Sequence, residues 1–402
     1  MSGSFIIDGV RTPVGSFRGV LSPIRTDDLA ALTIKELIKR NPQIPTDAID
    51  DVILGCANQA GEDNRNVTRM ALLLAGLPTS VPGETVNRLC SSGMSAVIHA
   101  HRAIKANDGE LFIAGGVEHM TRGPWVISKS SVPFGADAEM YDSSFGWRFI
   151  NPRMKELYGT EAMGETAENL VDQYKISRED QDRFAYWSQM KATRARDTAR
   201  FAIEIVPVEI PQRKGEPVII EHDEFIKDFT TLEGLAKLKP AFRAHGGTIT
   251  AGNASGLNDG AAALLIASDQ AIVAHDLMPI AQMISSGVVG VEPRIMGIGP
   301  VYASQKALHR ADLTMDDMDI IEINEAFAAQ VLACTRTLGL DDNDPRINPN
   351  GGAIAIGHPL GMSGARLILS AALELQKSMA RYALVTMCVG VGQGYAVVLE
   401  RV

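Results

Sequence analysis

Cysteine is scarce in this sequence and scattered along it. The four residues, Cys56, Cys90, Cys334 and Cys388, form no C-x-x-C pair. That spacing argues against a zinc site and a disulfide scaffold, and fits a reducing cytoplasm. Positive charge is also outnumbered, 38 Lys and Arg against 48 Asp and Glu, for a net charge of -10 and a pI near 5.4. This balance speaks against nucleic acid or an anionic membrane as the main partner, although local basic groups can still hold a phosphate. No apolar run approaches the ~18 residues that a membrane helix needs. Strand-like Ser4-Phe5-Ile6-Ile7 begins almost at the initiator, so no signal peptide is expected. The closing Leu399-Glu400-Arg401-Val402 is not a peroxisomal tripeptide.

What is present is material for a core. A 46% hydrophobic composition over 402 residues suffices for two or three domains. After the strand Ser4–Ile7, Thr26 is expected to cap a helix from about Asp27 to Arg40, with Leu29, Leu32, Ile34, Leu37 and Ile38 apolar. Asp51–Gly55 reads as a buried strand, Asn66–Leu74 as a helix, and Leu111–Gly116 as another apolar strand. Alternating strands and helices predict an α/β fold around a mostly parallel sheet covered on both faces. From about Thr121 to Thr250 the texture changes. This stretch carries all three tryptophans (Trp125, Trp147, Trp187), many charges and loop-forming residues, with one strong helix behind Ser177 and Asp180. It reads as an insertion, after which the rhythm resumes at Ala251.

The two flanking parts repeat each other. Asp51-Val52-Ile53 matches Asp319-Ile320-Ile321, and Gly93-Met94-Ser95 matches Gly361-Met362-Ser363, each pair 268 residues apart. A shared offset with a shared order of elements predicts a duplicated unit. At that offset Cys90 stands opposite His358.

Cys90 lies in Val86-Asn87-Arg88-Leu89-Cys90-Ser91-Ser92-Gly93-Met94, ahead of a helical pattern. A cysteine at a helix N-terminus meets unpaired N–H groups and the positive end of the dipole, which favour a nucleophilic thiolate. A buried structural cysteine is the plainer alternative. His358 sits between Gly357 and Pro359 in a glycine-rich stretch from Asn348 to Gly361, expected at a strand-to-helix turn and aimed into a cleft. A satisfied loop histidine is the alternative there. Cys388 precedes Val389-Gly390-Val391-Gly392-Gln393-Gly394, whose glycines suit a tight turn offering N–H groups rather than a dinucleotide loop, since a strand follows. In Glu322-Ile323-Asn324-Glu325-Ala326-Phe327 two polar side chains follow a strand and are expected to open a helix.

Taken together, Cys90 in its motif, Asn324-Glu325-Ala326-Phe327, Gly357-His358-Pro359, Cys388-Val389-Gly390 and Gly252-Asn253-Ala254-Ser255-Gly256 resemble the thiolase family, in order and over essentially the whole chain. The resemblance implies two pseudo-symmetric βαβαβαββ halves in a five-layered α-β-α-β-α arrangement. Residues 1–120 with about 251–277 would form the first half, 121–250 an inserted loop domain for coenzyme A binding and oligomer contacts, and about 278–402 the second half. It further implies ping-pong thiolysis of a 3-oxoacyl-CoA, or the reverse Claisen condensation, through an acyl-cysteine. Cys90 would be the nucleophile, His358 its activator and Cys388 the second acid/base. His358 with a water on Asn324 would form one oxyanion hole, and the N–H groups of Cys90 and Gly390 the other. Neither a metal nor a tightly bound cofactor is expected; coenzyme A and acetyl-CoA enter as substrates.

By the same resemblance Ser255, Met163, Leu235, Lys227 and Phe327 would contact coenzyme A, Lys227 being equally readable as a solvated lysine. A cytoplasmic homodimer or homotetramer is implied, without nucleic acid or membrane. The stretches Gly9–Gly15, Ala57–Asn66 and Gly146–Pro152 are similar to those of 3-oxoadipyl-CoA thiolases, although Ser91 stands where those enzymes usually have Gly. A dicarboxyl chain needs a cation, and Arg148 and Arg153 are the candidates, unless they pair with Asp142 and Glu156. A general acetyl-CoA acetyltransferase acting on acetoacetyl-CoA is the other substrate reading. The rival chemistries are a ketoacyl synthase-type condensing enzyme, which uses two histidines with its cysteine, and a non-catalytic acyl-CoA or lipid carrier of the same fold.

Overall fold

The computed structural model describes residues 3–402. Its first half runs strand Ser4–Arg11, helix Thr26–Arg40, strand Asp51–Gly55, helix Val67–Leu74, strand Gly83–Val86, helix Ser92–Ala106, strand Leu111–His119 and, after a long excursion, strand Asn258–Ser268. The second half repeats this as strand Ala281–Gly290, helix Gly299–Ala311, strand Ile320–Ile323, helix Ala328–Thr337, helix Leu360–Ser378, and strands Tyr382–Val389 and Gln393–Arg401. Its third strand is reduced to a single parallel bridge between Ile321 and Ile347.

Pairing is the same in both halves. Asp51–Gly55 lies parallel to Leu111–His119, as Ile320–Ile323 does to Tyr382–Val389. The remaining neighbours within each half are antiparallel apart from Gly83–Val86, which joins its edge in parallel. The expectation of a mostly parallel sheet is therefore corrected. Each half ends in two successive strands that pair directly, and its first strand enters antiparallel beside the last. A two-residue seam, Phe5 with Gln282 and Ile6 with Ala281, joins the half-sheets into one mixed sheet.

Three cores separate five layers. Thr26–Arg40 and Val67–Leu74 cover the outer face of the first half-sheet through Leu29, Ile34, Leu72 and Val117. Gly299–Ala311 and Ala328–Thr337 cover the outer face of the second through Val301, Leu332 and Val398. Between the half-sheets lie Ser92–Ala106 and Leu360–Ser378, buried through Met94, Ile98, Leu367 and Leu369. A helix enclosed on all sides must be small or apolar all round, as the N-terminal parts of this pair, residues 92–98 and 361–372, are apart from Arg366.

The repeated Gly-Met-Ser now has a reason. A Cβ on Gly93 would come within 2.5 Å of Gly361 O, and one on Gly364 within 2.5 Å of the Met94 N. The two central helices meet at their N-termini, backbone against backbone, and only glycine permits that approach. The segment between Met120 and Leu257 adds two short hairpins (Trp125–Ile127 with Met140–Asp142, Val208–Ile210 with Val218–Ile220) and the helix Arg178–Asp197, and touches the main sheet through a bridge from Ile205 to Arg11. Ser177 caps that helix, its hydroxyl accepting from Asp180 N at 3.1 Å. Thr26 does not cap as expected: the helix begins on it, and Arg25 holds Asp27 from the preceding position.

Candidate active site

Cys90 lies in a 3-10 turn, Leu89–Ser91, leading into the central helix Ser92–Ala106. Leu89 adopts φ 46°, a left-handed conformation unusual for leucine. Local bonds hold it there: Leu89 N donates to Asn87 Oδ1 (2.9 Å), Arg88 N to Ser92 Oγ (2.8 Å), and Asn87 Nδ2 to Ala57 O (3.0 Å). Arg88 bonds Ser95 Oγ at 3.0 Å and Gln393 Oε1 at 2.8 Å, tying this loop to the turn behind Cys388. That turn, Gly390–Gly392, closes the last two strands with φ 63° at Val391 and 85° at Gly392. Its first N–H, on Gly390, and the N–H of Cys90 itself both favour a charged Cys90 sulfur.

His358 follows one turn of helix, Ala353–Ile356, ended by Gly357 at φ 112°, and precedes the helix Leu360–Ser378. The expected strand-to-helix turn is thus a helix-to-helix turn, because Ala353–Ile356 coils once before the glycine reverses the chain. Asn258 Oδ1 accepts from His358 N at 2.9 Å. Nδ1 meets Ser363 Oγ at 2.6 Å, and that hydroxyl donates to Pro359 O at 2.8 Å. With its proton so engaged, Ser363 offers a lone pair, which assigns the hydrogen to Nδ1 and leaves Nε2 basic. Nε2 faces Asn324 Nδ2 at 3.4 Å.

Asn324 is fully buried, and its Oδ1 has no hydrogen-bond partner among the described residues. It lies just beyond the strand Ile320–Ile323, with its N–H on Thr386 O. Residues 324–327 do not open the helix directly, since helical turns begin only at Ala328. Glu325 instead folds back to accept from Ser188 Oγ (2.6 Å), Asn348 Nδ2 (2.7 Å) and Ile354 N (3.1 Å), bracing the histidine's glycine-rich approach. Cys388 is buried at the end of Tyr382–Val389, within electrostatic reach of Cys90. The structure thereby brings Cys90, Gly390, Cys388, His358 and Asn324 to one place, at the N-terminal ends of the paired central helices.

Electrostatics revise one expectation. Burial pushes the Cys90 thiol up to about 11, outweighing the two N–H groups that favour its thiolate. The helix N-terminus does not make a resting thiolate. Burial likewise drives His358 down to about 3, with Arg366 adding to the effect, and raises Cys388 well above the ordinary thiol range. A neutral thiol beside a neutral imidazole is the state these shifts favour.

The residues assigned to coenzyme A also cluster. A Cβ on Gly390 would lie 3.9 Å from Met163 Sδ, so Met163 borders the Cys90 pocket. Next to Met163, Gly164 packs against the Phe242 ring, which stands edge-on to Phe327 at 6.3 Å. Phe327 bridges to Ala254, and Ser255 N donates to Ala326 O at 3.0 Å. Leu235 packs on Gly252. Lys227 stands further out, its ammonium 4.7 Å from the Phe225 ring, which in turn packs on Gly256.

Sequence reading missed Phe242, Ser363, Asn258 and Glu118. The spacing of Ser363, five residues past His358 and in the repeat, was a usable signal; the others touch the site only through distant chain segments. Cys56, Asp63 and Glu118 bring donor atoms within 4.8 Å of one another. Each already has partners of its own: Asp63 accepts from Gly61 N at 2.8 Å and Glu118 from three N–H groups, while Cys56 donates to Asn58 O at 2.9 Å. No helix among the described residues is long and apolar enough to cross a membrane.

Known proteins share this fold. Family models of the thiolase N-terminal and C-terminal domains match residues 4–270 and 277–401. The Escherichia coli (strain K12) protein "3-oxoadipyl-CoA/3-oxo-5,6-dehydrosuberyl-CoA thiolase" is 58% identical over 402 residues, 100% of both chains. A "Beta-ketoadipyl-CoA thiolase" of Acinetobacter baylyi is 58% identical over the same span of both chains. The crystal structure of the Bacillus anthracis acetyl-CoA acetyltransferase superposes with a TM-score of 0.92 at 39% identity, and that of human mitochondrial 3-ketoacyl-CoA thiolase with 0.91 at 37%. Each covers 100% of this chain and 99% of its own. With both family domains spanning the chain and these four motifs folded into one pocket, the protein belongs to the thiolase family and is an acyl-CoA acetyltransferase.

Proposed function

We propose that this thiolase cleaves 3-oxoacyl-CoA esters carrying a distal carboxylate, of the 3-oxoadipyl-CoA kind. The observation that carries the reading is Arg148. Its guanidinium is partly buried and held by neutral acceptors, Ser143 O at 3.2 Å and Asn58 Oδ1 at 3.5 Å. No ion pair to Asp142, or to any other described residue, neutralises it. Asn58 follows Ala57, whose carbonyl holds Asn87 beside the Cys90 turn. Trp147, the neighbour of Arg148, donates to Glu161 O at 3.1 Å, two residues before Met163. An uncompensated cation in this wall suits a carboxylate, which Arg grips through two N–H groups. Arg153 is exposed in the first turn of Pro152–Tyr158 and is the weaker candidate. The names of the relatives at 58% identity support the same substrate class.

The residues act in a balanced sequence. The Cys90 proton passes to His358 Nε2 as sulfur attacks the 3-oxo carbon, and the oxyanion forms against donors of one hole. Breaking the C2–C3 bond expels the acetyl-CoA carbanion, which Cys388 protonates at C2, leaving acyl-Cys90. The Cys388 thiolate then takes the proton from the incoming coenzyme A thiol. The new thiolate attacks the acyl carbon and releases Cys90, which recovers its proton from His358. The Gly390 and Cys90 N–H groups supply one hole, and His358 with a water held at Asn324 the other, each good donor stabilising the transition state by about 3–4 kcal/mol. Splitting transfer through a cysteine in this way needs no metal. Ser255, Met163, Leu235 and Phe327 line the path of pantetheine, with Lys227 toward the nucleotide end. Exposed Trp125, Ile127, Phe134, Met140 and Phe145 in the inserted segment suit contacts with further copies, in a cytoplasmic homodimer or homotetramer.

The test compares kcat/KM for 3-oxoadipyl-CoA and acetoacetyl-CoA in wild type and Arg148→Ala, with the acyl group mapped by mass spectrometry. We expect acyl on Cys90 and a selective loss of about 1.5–3 kcal/mol, roughly 10- to 150-fold, on the dicarboxyl ester. Equal wild-type efficiency on both esters would make the enzyme a general acetyl-CoA acetyltransferase.

A further inference from the structure

Glu118 is a buried carboxylate to which the reaction sequence assigns no part. It sits at the end of the strand Leu111–His119, 1% exposed. Its oxygens accept three backbone N–H groups and no side-chain donor: Ala57 at 3.0 Å, Asn58 at 2.9 Å and Gly361 at 2.8 Å. No Lys or Arg among the described residues pairs with it. Compensation comes from peptide dipoles alone, one of them at the N-terminus of the 19-residue helix Leu360–Ser378.

The three donors belong to different parts of the site. Gly361 lies three residues past His358, in the turn that sets the imidazole. Ala57 and Asn58 belong to the loop that holds Asn87 on one side and Arg148 on the other. Glu118 itself is close enough to Cys90 for its charge to act on the thiol. We propose that Glu118 is a positioning residue of the thiolase reaction, its ionised carboxylate clamping the His358 turn to the Ala57–Asn58 loop beside Cys90.

The clamp requires the charge. On protonation one oxygen becomes a hydroxyl and both lose charge, so all three N–H groups are held by weaker acceptors and the turn slackens. Burial raises this carboxyl to about 7, with Asp63 adding to the rise and the three N–H groups opposing it. The titratable groups facing it are Cys56 and Asp63 from the loop behind Asp51–Gly55, and Cys90 from the Leu89–Ser91 turn; the helix Leu360–Ser378 offers it only the Gly361 N–H. His119, next in the strand, acts on Asp63 from the far side. Loss of the clamp on protonation should therefore appear as an acid limb near pH 7. Burial pushes His358 the other way, down to about 3 and away from that limb.

The inference rests on the roles proposed for Cys90 and His358, and the experiment separates the two. Mass mapping of the acyl group in wild type tests those roles. Glu118 is tested by kcat, KM and kcat/KM for acetoacetyl-CoA thiolysis from pH 5.5 to 8.5 in wild type, Glu118→Gln and Glu118→Asp, with a melting curve for each. Wild type should lose activity below about pH 7. Glu118→Gln, which keeps the shape without the charge, should lose kcat about 10- to 100-fold, the usual result of a misplaced catalytic group. Its KM for coenzyme A should stay within about threefold, and its acid limb should vanish. A wild-type rate, or a uniformly lowered profile that keeps the limb, would overturn the proposal. If Glu118→Gln does not fold, Glu118→Asp decides. With its charge retained on a shorter arm it should keep the limb and lose at least about tenfold in kcat, and an undiminished kcat would refute the clamp.

Discussion

Ser363 donates to the Pro359 carbonyl and meets His358 Nδ1 with a lone pair, so one hydroxyl selects the tautomer that leaves Nε2 basic. Its removal leaves a buried N–H without an acceptor, at a cost of about 1–3 kcal/mol. The chain can recover part of that cost by turning the ring or moving the proton. Ser363→Ala should therefore lower kcat by roughly tenfold or more while KM for coenzyme A holds, since Ser255 and Met163 are untouched. Steady-state thiolysis decides, and a variant with wild-type kcat would show that Ser363 does not set the tautomer. Histidines 358 and 101 share a second property: burial keeps both neutral, at about 3 and about 4. Unfolded histidine titrates near ~6.5. Between those values the unfolded chain binds more protons, so both residues remove stability as pH falls below 6.5. Glu118 and Glu322, pushed up to about 7 and about 8, act oppositely and weaken the fold as pH rises from ~4.5 through those values. Replacing His101, which lies outside the chemistry, tests the sign. His101→Gln should lose less Tm between pH 7 and 4.5 than wild type, by a few degrees. An equal loss would mean that His101 is not buried neutral.

At the scale of elements, the crossing of Ser92–Ala106 on Leu360–Ser378 is a tight constraint. Gly364→Ala drives a methyl group into the Met94 backbone, which cannot give way as a side-chain tip can. Overpacking of this kind costs about 1–3 kcal/mol, which urea denaturation would register. Gly215→Ala, whose Cβ meets nothing within 4 Å, should cost less, arising only from its φ of 91°. Similar losses at both sites would mean that the helices tolerate separation. Close approach also explains why the duplication was legible: Gly93 meets the Gly361 carbonyl and Gly361 the Val117 carbonyl, so both matched places demand glycine, and that demand survives as a readable offset. Cys90, His358 and Cys388 stood out in the sequence for a related reason, since each sits in or beside a turn whose backbone limits the neighbouring residue types. Glu118 and Phe242 were not, because nothing local distinguishes a buried carboxylate on Gly361 N or a ring on Gly164 from ordinary neighbours. The thiol's raised titration was also illegible, as burial of a sulfur is a property of the finished pocket.

For the whole molecule, the two halves differ in one connection. In the second half, Tyr382–Val389 passes to Gln393–Arg401 through three residues, Gly390–Gly392. In the first, the matching strands Leu111–His119 and Asn258–Ser268 are also direct neighbours, with His119 opposite Asp259. Everything from Met120 to Leu257 leaves and returns through that one mouth. The segment works as a cassette plugged into a hairpin and clipped back onto the chassis: Glu204 and Asp223 hold Arg11, and Ser188 holds Glu325, while exposed loops such as the one around Phe134 are free to vary. Met163, Phe242, Arg148 and Leu235 all ride on the cassette, while Cys90 and His358 ride on the chassis. With the roles proposed above, a lineage built this way can exchange the acyl chain it accepts through the cassette's loops while leaving its bond-making untouched.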